Sequence, residues 1–457
     1  MRSNNDDNKF FLRGNFAPID IEGSYTELKI IQGSVPYELN GSLYRNGPNP
    51  RFPNAKLHWF EGDGMLHAIT LRAGKASYQN RWIRTDRFNL EQLHKQSLFG
   101  SLLDPSFKNR LSKRTDPNVA NTNIIEHAGR LLALQETASA IQINKDNLET
   151  MGSYHYNNGV PTMSAHPRFD HATGEMLFHS YKPFSKSVTF CIVDKNGMVT
   201  HNTSIKTPYS SFMHDFAITQ NYVIFPVMPL TFSLTRALRR KTVLIWRKSL
   251  DAHFGIMPRY DRTKKIIWFK VPAFYAYHFM NAYEEDNSII LDGMCAAKSG
   301  MFPDENGNII TGSDAASYLT RWEFNLSTNK ANKFKLDNYN AEFPRFDERL
   351  TGLRYRHGYA IGGNNFDSIL HYDLQTNITK LRKLNEHQSA SEAVFIPKNQ
   401  NSVEGEGYLL SVVYDNSNQT SVLLILNANQ LDQEPIATIL LPNRVPNGFH
   451  GNWINVS

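Results

Sequence analysis

The sequence predicts an all-β fold, and its length favours a seven-bladed β-propeller over a sandwich or a barrel. Short runs of β-branched, aromatic and aliphatic residues recur along the chain, with polar turn signals between them. No regular alternation of strands with long helical patterns is visible, which argues against an α/β class. Strands joined as hairpins are typical of sandwiches, barrels and propellers. The 457 residues would supply seven four-stranded blades of roughly 65 residues each, loops included.

The predicted strands are short, and turn signals such as 195–197 (KNG) and 305–307 (ENG) separate them. They cover 131–136, 175–181, 187–194, 222–227, 265–271, 288–294, 318–326, 368–374, 392–397, 408–414, 421–427 and 438–441. Helical pattern is confined to 89–102 and 231–240. No linker or low-complexity segment divides the chain, so we expect a single domain over residues 1–457.

Composition narrows the class of protein. Hydrophobic residues make up 40% and charged residues 20%, as in ordinary globular proteins. The net charge is +6, but no run of Lys and Arg is interleaved with aromatic residues, so we expect no nucleic-acid partner. The two cysteines, Cys191 and Cys295, provide neither a disulfide framework nor a thiolate metal site, which fits a reducing compartment.

Membrane insertion is not expected from the sequence. No run of about 18 apolar residues occurs, and residues 1–15 are polar and charged. We therefore expect neither a transmembrane segment nor a signal peptide, and a cytoplasmic protein that is soluble or peripherally bound to a membrane.

Four of the 16 histidines stand out by their aromatic surroundings at the edges of strand-like runs. They are His166 in AHPRFD, His214 in FMHDF, His278 in YHFMNAYEE and His450 in GFHGNW. A histidine is more often a hydrogen-bonded core or surface residue than a ligand. The four are far apart in sequence, and no HExxH motif or local cluster of His and Cys is present. Spacing alone therefore does not identify a metal site.

Further motifs occur in order along nearly the whole chain. They are 41–50 (GSLYRNGPNP), 59–67 (WFEGDGMLH), 120–123 (ANTN), the four histidine contexts and 449–451 (FHG). With these motifs the chain resembles the carotenoid cleavage oxygenases, which include apocarotenoid- and stilbene-cleaving enzymes and the retinoid isomerase of the vertebrate eye. The resemblance implies a seven-bladed β-propeller with a cap of loops and short helices over an axial metal site, in agreement with the β-rich pattern.

The resemblance also implies a set of site residues. The ligands of one Fe²⁺ per subunit would be His166, His214, His278 and His450. Three glutamates would each hold the far ring nitrogen of a ligand, and the matching positions are Glu136, Glu342 and Glu392. Neutral imidazoles leave a ferrous site cationic, with positions open for O₂, and a carboxylate on the far N–H fixes the ring tautomer. No catalytic side chain is expected beyond the iron centre.

The histidines of the 59–67 region, His58 and His67, do not match ligand positions of the family. We expect this segment to be structural, with Glu61, Asp63 and Gly64 serving loop geometry and hydrogen bonding.

The implied reaction is cleavage of a carbon–carbon double bond of a carotenoid or apocarotenoid, with O₂ as co-substrate and two carbonyl products. Three alternatives stay open: cleavage of a stilbene or phenylpropene as in lignostilbene-type enzymes, isomerohydrolysis of a retinyl ester, and a non-catalytic propeller scaffold. In the stilbene-cleaving branch a lysine precedes the first of the glutamates. Gln135 stands at that position here. A neutral amide cannot supply a charge to a phenol, which disfavours phenolic stilbenes.

Candidate substrate contacts lie beside the ligands. With Gln135, the aromatic residues that could line a tunnel are Phe212, Phe279, Tyr283 and Phe449, and core packing is the alternative for each of them. The expected partner is a lipophilic polyene or another conjugated alkene.

Segment 228–246 combines apolar residues with a basic cluster, namely Arg236, Arg239, Arg240 and Lys241. This pattern predicts shallow contact with an anionic membrane, from which a lipophilic substrate could be taken. A helix packed on the propeller with a solvated basic edge is the alternative.

Overall fold

Short antiparallel strands make up most of the ordered structure. The computed structural model describes residues 8–101, 109–156, 160, 162–239, 241–261 and 265–455.

The strands are given in chain order. The first sixteen are β1 (Gly23–Tyr25), β2 (Ile30–Gly33), β3 (Gly41–Pro48), β4 (Gly64–Arg72), β5 (Lys75–Trp82), β6 (Asn123–His127), β7 (Arg130–Leu134), β8 (Ala140–Ile143), β9 (Thr150–Tyr154), β10 (Arg168–Asp170), β11 (Glu175–Tyr181), β12 (Ser187–Val193), β13 (Val199–Lys206), β14 (Ala217–Ile218), β15 (Tyr222–Val227) and β16 (Leu230–Phe232). The others are β17 (Leu244–Trp246), β18 (Ala252–Pro258), β19 (Ile267–Val271), β20 (Tyr275–Glu285), β21 (Ser288–Ala296), β22 (Tyr318–Asn325), β23 (Lys330–Lys335), β24 (Ala341–Phe346), β25 (His357–Gly362), β26 (Ser368–Asp373), β27 (Ile378–Lys383), β28 (Gln388–Ala390), β29 (Val394–Pro397), β30 (Gly407–Asp415), β31 (Thr420–Asn427), β32 (Ala437–Leu440) and β33 (Gly451–Asn455).

Every strand predicted from the sequence coincides with an observed strand, and the ends differ by at most two residues. The agreement follows from the alternation of buried and partly exposed residues along these runs, which is the pattern of a strand with one face in the core.

Helices are few, and the predicted bounds were wrong for both. Helix α1 spans Asp86–His94, not 89–102: the Thr85 hydroxyl accepts a hydrogen bond from the Phe88 N–H, and Lys95 ends the helix in the left-handed conformation. Helix α2 spans only Leu234–Leu238, because part of the predicted 231–240 segment belongs to β16. Residues 102 and 240 lie outside the described residues. Short 3₁₀ segments are Asn8–Leu12, Gly14–Phe16, Trp59–Glu61, Leu111–Arg114, Gly312–Asp314 and Glu348–Leu350.

The chain divides into two compact units. The first comprises Met1–Ala165, Arg236–Thr242 and Arg382–Ser457, and the second comprises His166–Thr235 and Val243–Leu381. The prediction of a single domain over 1–457 stays a prediction.

The first unit contains three antiparallel sheets. Their strand orders are β1-β5-β4-β3-β33, β6-β7-β8-β9 and β2-β32-β31-β30-β28, with β29 also paired to β30. The last strand of the chain, β33, therefore completes the sheet of β3, and the early strand β2 completes the sheet of β30–β32. Pairing strands from the two ends of the chain fixes the residues just before β33.

The core of the first unit is mostly aliphatic. Leu43 and Ile69 from one sheet and Leu410, Leu423 and Ile439 from another belong to one apolar cluster, and each is at most 3% exposed. Burying such side chains stabilises the fold by about 1.5–3 kcal/mol each.

The second unit contains four sheets of four strands. Their orders are β10-β11-β12-β13, β14-β15-β18-β19, β20-β21-β22-β23 and β24-β25-β26-β27, and the small hairpin β16-β17 lies between β15 and β18 in sequence. Together with the sheets of the first unit, seven sheets of four or more strands are present in the described residues. The predicted all-β, seven-bladed propeller is confirmed.

The second unit also buries an ion pair between β21 and β22. The Arg321 guanidinium donates two hydrogen bonds of 2.8 Å to Asp292, and the Tyr355 hydroxyl donates a third of 2.8 Å. Asp292 is fully buried, so its charge depends on these donors.

Among the described residues, no helix combines the length and the apolar character needed to cross a bilayer.

Candidate metal centre

The four predicted histidines are buried at or near strand starts. His166 lies just before β10, His214 just before β14, His278 within β20 and His450 directly before β33. Their exposed fractions are 9%, 8%, 8% and 5%, in that order. A buried imidazole needs a partner for its ring nitrogens, because an unsatisfied polar atom in the interior is costly.

The histidines form one cluster. One ring nitrogen from each of His166, His214, His278 and His450 can be chosen so that these atoms all lie within 4.8 Å of one another. The Nε2 atoms of His166 and His214 are 3.0 Å apart, and the His278 ring centroid lies 5.2 Å and 5.3 Å from theirs. The structure therefore brings together all four residues that the sequence singled out.

A carboxylate holds the far nitrogen of His278. Its Nδ1 lies 2.7 Å from Glu342 Oε2. A neutral imidazole carries one proton, so an Nδ1–H donated to Glu342 puts the ring's lone pair on Nε2, the nitrogen that would bind a metal.

The same arrangement recurs at His450. Its Nδ1 lies 2.9 Å from Glu392 Oε1, and the other oxygen of Glu392 accepts a 2.9 Å hydrogen bond from the Gly451 N–H. Glu392 is 6% exposed. It thus fixes both the ring of His450 and the first residue of β33.

Glu136, the third predicted glutamate, lies two residues beyond the end of β7 and is half-buried. Its predicted pairing with a ligand histidine stays a prediction.

The Glu342 carboxylate is aimed by an irregular strand. The pairing of β24 with β25 shifts register between Glu342 and Arg345, and Phe343 takes a left-handed φ of 54°. The Phe343 ring lies nearly parallel to His278, with centroids 5.3 Å apart and an interplanar angle of 27°. A left-handed non-glycine residue costs about 1–2 kcal/mol, and bulges of this kind re-aim side chains beside functional sites. No pattern in the sequence indicates a special role for Phe343.

Glycine is required just before His450. The Phe449 N–H donates to the Asn46 carbonyl at 3.0 Å, and the Asn46 N–H donates to the His450 carbonyl at 2.9 Å. A Cβ at Gly448 would lie 2.7 Å from the Asn46 oxygen. Only glycine allows this approach, which fixes the backbone that carries the ligand.

The donor set fits a divalent transition metal. Imidazole nitrogens suit Zn, Cu, Fe and Ni. Two imidazoles bound at about 2.1 Å and at a right angle would place their nitrogens about 3 Å apart, and the His166 and His214 Nε2 atoms are 3.0 Å apart.

The aromatic residues predicted to line a tunnel each pack against other side chains. Phe212 stacks on His214, with centroids 5.7 Å apart and an angle of 11°, and Phe449 packs 4.4 Å from Trp59. Phe279 is 2% exposed and packs on Phe254 at 6.3 Å. Tyr283 belongs to an apolar core cluster. A tunnel role for these residues stays a prediction.

The side chain of Gln135 is anchored to the backbone. Its Oε1 accepts a 2.7 Å hydrogen bond from the Val119 N–H. The remaining NH₂ group can only donate.

Glu61 and Asp63 of the 58–67 segment make loop hydrogen bonds, as expected, and the purely structural role of the segment stays a prediction. His58 and Glu61 form a capping box, with the His58 N–H donating to Glu61 at 2.8 Å. Asp63 accepts from the Arg51 N–H at 2.9 Å, and His67 Nδ1 lies 2.7 Å from the Tyr78 hydroxyl. Burial lowers the pKa of both His58 and His67 to about 3.

Comparison with known proteins agrees with this fold and site. Residues 16–455 match the family model of the retinal pigment epithelial membrane protein. The chain is 34% identical to an isoeugenol monooxygenase of Pseudomonas nitroreducens, over 97% of each chain. It is 33% identical to the carotenoid 9,10(9',10')-cleavage dioxygenase 1 of Pisum sativum, over 97% of this chain and 90% of that one. The crystal structure of a lignostilbene dioxygenase from Pseudomonas brassicacearum superposes with a TM-score of 0.93, at 28% identity and over 98% of both chains.

The fold and the cluster define a class: a β-propeller with four buried histidines compatible with a metal site. The chain belongs to the retinal pigment epithelial membrane protein family, the family of the carotenoid cleavage oxygenases, as its resemblance implied. This family is iron-dependent, and its members include enzymes named for cleavage of carotenoids and oxidation of isoeugenol. The prediction of an oxidoreductase of the alkene-cleaving type is confirmed.

Replacement of Glu392 by glutamine tests its role at His450. The carboxylate accepts from both His450 and Gly451, whereas an amide offers one acceptor and one donor, so one of the two contacts must break. We expect Glu392→Gln to weaken Fe²⁺ binding about 10- to 100-fold, measured as retained iron after dialysis against a graded chelator. Glu284→Gln is the matched control, because Glu284 accepts from Thr219 and Asn221. Equal iron retention in the two variants would contradict the assignment.

The pH dependence of stability tests the neutral state of His67. Burial lowers its pKa from 6.5 to about 3, so below pH 6.5 the unfolded chain binds a proton that the folded chain does not. The stabilisation is complete above pH 6.5 and is lost as the pH falls towards 3. Metal-free wild type and His67→Gln are compared by denaturant unfolding at pH 7 and pH 5. We expect the wild-type advantage to shrink by on the order of 1–2 kcal/mol; a constant difference would show that His67 is not held neutral.

Proposed function

We propose that this chain is a non-haem Fe(II) dioxygenase that cleaves one carbon–carbon double bond of a conjugated alkene with O₂ and gives two carbonyl products. The observation that carries the proposal is the buried cluster of four imidazoles within 4.8 Å. His166, His214, His278 and His450 are the proposed ligands of one Fe²⁺ per subunit.

The bound iron would supply the activation of O₂. The residues of the chain would orient the ligand rings, supply uncharged donors and position the substrate. Glu342 and Glu392 hold the Nδ1 protons of His278 and His450, which turns the Nε2 lone pairs towards the metal and prevents the rings from rotating. We propose Glu136 for the same task at a further ligand. The four donors carry no charge and would leave a ferrous centre cationic, with positions open for O₂.

Apolar side chains next to the ligands would position the double bond and exclude water. Phe212 stacks on the His214 ring, and Phe343 stacks on His278. Flat aromatic surfaces of this kind suit a planar conjugated substrate. Positioning one bond near the metal is the main contribution that a protein makes to such a reaction. Phe279, Tyr283 and Phe449 are retained as proposed contacts further along the substrate path.

The first candidate substrate is a carotenoid or apocarotenoid. It is supported by 33% identity to the Pisum sativum carotenoid dioxygenase and by a TM-score of 0.89 to a Synechocystis apocarotenoid oxygenase variant.

The second candidate is a phenylpropene or stilbene. Two isoeugenol monooxygenases, from Pseudomonas nitroreducens and Pseudomonas putida, are 34% and 35% identical to this chain over 97% of both chains. This similarity favours a small alkenyl arene, while the uncharged Gln135 disfavours recognition of a phenolate.

Membrane contact through 228–246 is a narrower proposal than the sequence suggested. Leu230, Leu244 and Trp246 are at most 2% exposed and belong to the core, whereas Leu234 and Leu238 on α2 are 59% and 78% exposed. Arg239 and Lys241 are exposed beside them, and Arg240 lies outside the described residues. We propose that α2 touches the surface of an anionic membrane and that the protein works in the cytoplasm.

Product analysis tests the proposed reaction. Protein reconstituted anaerobically with Fe²⁺ is given O₂ and, separately, a β-apocarotenal, isoeugenol or resveratrol. We expect a pair of carbonyl products from at least one substrate; isoeugenol would give vanillin and acetaldehyde. Chelation should abolish turnover and added Fe²⁺ should restore it, while His214→Ala should lose both iron and turnover. Unchanged turnover by metal-stripped protein would refute the proposal.

Gln135→Lys tests what sets the substrate preference. A lysine ammonium would form a charge-assisted hydrogen bond with a phenol, which is stronger than a neutral one by about 1 kcal/mol. We therefore expect kcat/KM for resveratrol to rise about fivefold and that for its trimethyl ether to stay unchanged. Gln142→Lys is the control for added charge. An equal rise for the ether would argue against phenol recognition at this position.

A further inference from the structure

An ion pair adjoins three of the proposed ligands. Arg168 lies two residues after His166, and Asp215 directly follows His214. The Arg168 Nη2 donates to both oxygens of Asp215, at 2.8 Å and 2.7 Å. Asp215 is 1% exposed and the Arg168 side chain 17%, so the pair is largely screened from water.

The same two side chains bind the backbone next to His214 and His278. Arg168 donates from Nε to the Phe216 carbonyl at 2.9 Å and from Nη2 to the Phe279 carbonyl at 2.9 Å. Asp215 accepts from the Phe216 N–H at 2.7 Å and from the Phe279 N–H at 2.8 Å. Phe279 directly follows His278. Apart from the bond between the adjacent residues Phe216 and Asp215, each polar contact of this clamp, defined as Arg168 and Asp215, therefore ties one ligand-bearing segment to another.

No shared strand ladder connects these three ligand-bearing segments. The three segments run into β10, β14 and β20, which belong to three different sheets of the second unit. In β20 the pairing with β21 also shifts register on both sides of Phe279, so the ladder near His278 is irregular. Hydrogen bonds to charged groups are stronger and more directional than neutral ones. They can hold the segments to the tolerance of about 0.5 Å that a preorganised site requires.

We infer that Arg168 and Asp215 are positioning residues that set the geometry of the His166, His214 and His278 rings for metal binding. This inference rests on the proposed metal centre and adds residues to which that proposal gives no role. The clamp acts through the ligands and touches neither substrate nor O₂.

Two substitutions separate geometry from charge. Asp215→Asn leaves the Arg168 charge unpaired near the centre, whereas Arg168→Gln leaves the Asp215 charge unpaired. If the pair acted by charge alone, the first change would weaken binding of a divalent cation and the second would strengthen it. A positioning role predicts that both changes weaken it.

Asp292→Asn is the matched control. Asp292 is also buried and also accepts two hydrogen bonds from one arginine, Arg321, but it lies on β21, which carries no proposed ligand. A loss of stability common to buried ion pairs would therefore appear in the control as well.

The experiment measures Co²⁺ binding to metal-free protein by competition with a chromophoric chelator, together with the visible spectrum of the bound ion. We expect Asp215→Asn and Arg168→Gln to weaken Co²⁺ binding about 10- to 100-fold and to change the spectrum. Asp292→Asn should lower the unfolding temperature but keep wild-type affinity and spectrum. Arg168→Lys keeps the charge but not the fork of donors, so it should also weaken binding, and it carries the test if Asp215→Asn fails to fold.

The outcomes are separable. Wild-type protein that does not bind Co²⁺ would overturn the proposed metal centre and the clamp with it. Wild-type binding together with wild-type affinity in the clamp variants would overturn the clamp alone. Tighter binding by Arg168→Gln, or equal weakening in Asp292→Asn, would also overturn the positioning role.

Discussion

A cluster of uncharged imidazoles can hold a cation only if each ring turns its lone pair to the same point. Each neutral ring has one nitrogen lone pair in its plane. The N–H on the opposite nitrogen must donate a hydrogen bond to another group. At His278 and His450 that acceptor is a glutamate, at 2.7 Å and 2.9 Å. The rest of the site serves this requirement: a bulge aims Glu342, and Gly448 lets the chain pass close to the backbone of Asn46, which fixes the segment that carries His450. In this account the carboxylates set the direction of the donors and contribute no ligand of their own.

The β-propeller suits this requirement because the proposed ligands can come from different sheets without a shared strand ladder. The cost is that no ladder fixes the ligands relative to one another. In each unit, contacts close to the ligands take the place of a shared ladder. In the second unit Arg168 and Asp215 connect the segments of three histidines, and in the first unit the pairing of β33 with β3 fixes the residues next to His450. Phe343 keeps a strained left-handed backbone conformation, which indicates that the geometry of the site outweighs the local conformational energy.

The sequence predicted the fold class and the strands because burial on one face of a strand imposes a visible alternation of residues. It failed on the bounds of the helices, since Lys95 ends α1 by a left-handed turn that periodicity does not reveal. The histidines could be chosen only by resemblance, because residues 166, 214, 278 and 450 share no spacing. Arg168 and Asp215 stand beside two of those histidines and could have been noticed there. Nothing in the sequence marks Phe343, whose role depends on a backbone conformation.

Anomalous X-ray diffraction at the iron absorption edge, on crystals of protein loaded anaerobically with Fe²⁺, tests the central claim most directly. We predict one anomalous peak per chain, within bonding distance of the Nε2 atoms of His166, His214, His278 and His450, with Glu342 and Glu392 still on the far nitrogens. A peak bound by a carboxylate oxygen in place of one of these imidazoles, or no peak at the cluster, would contradict it.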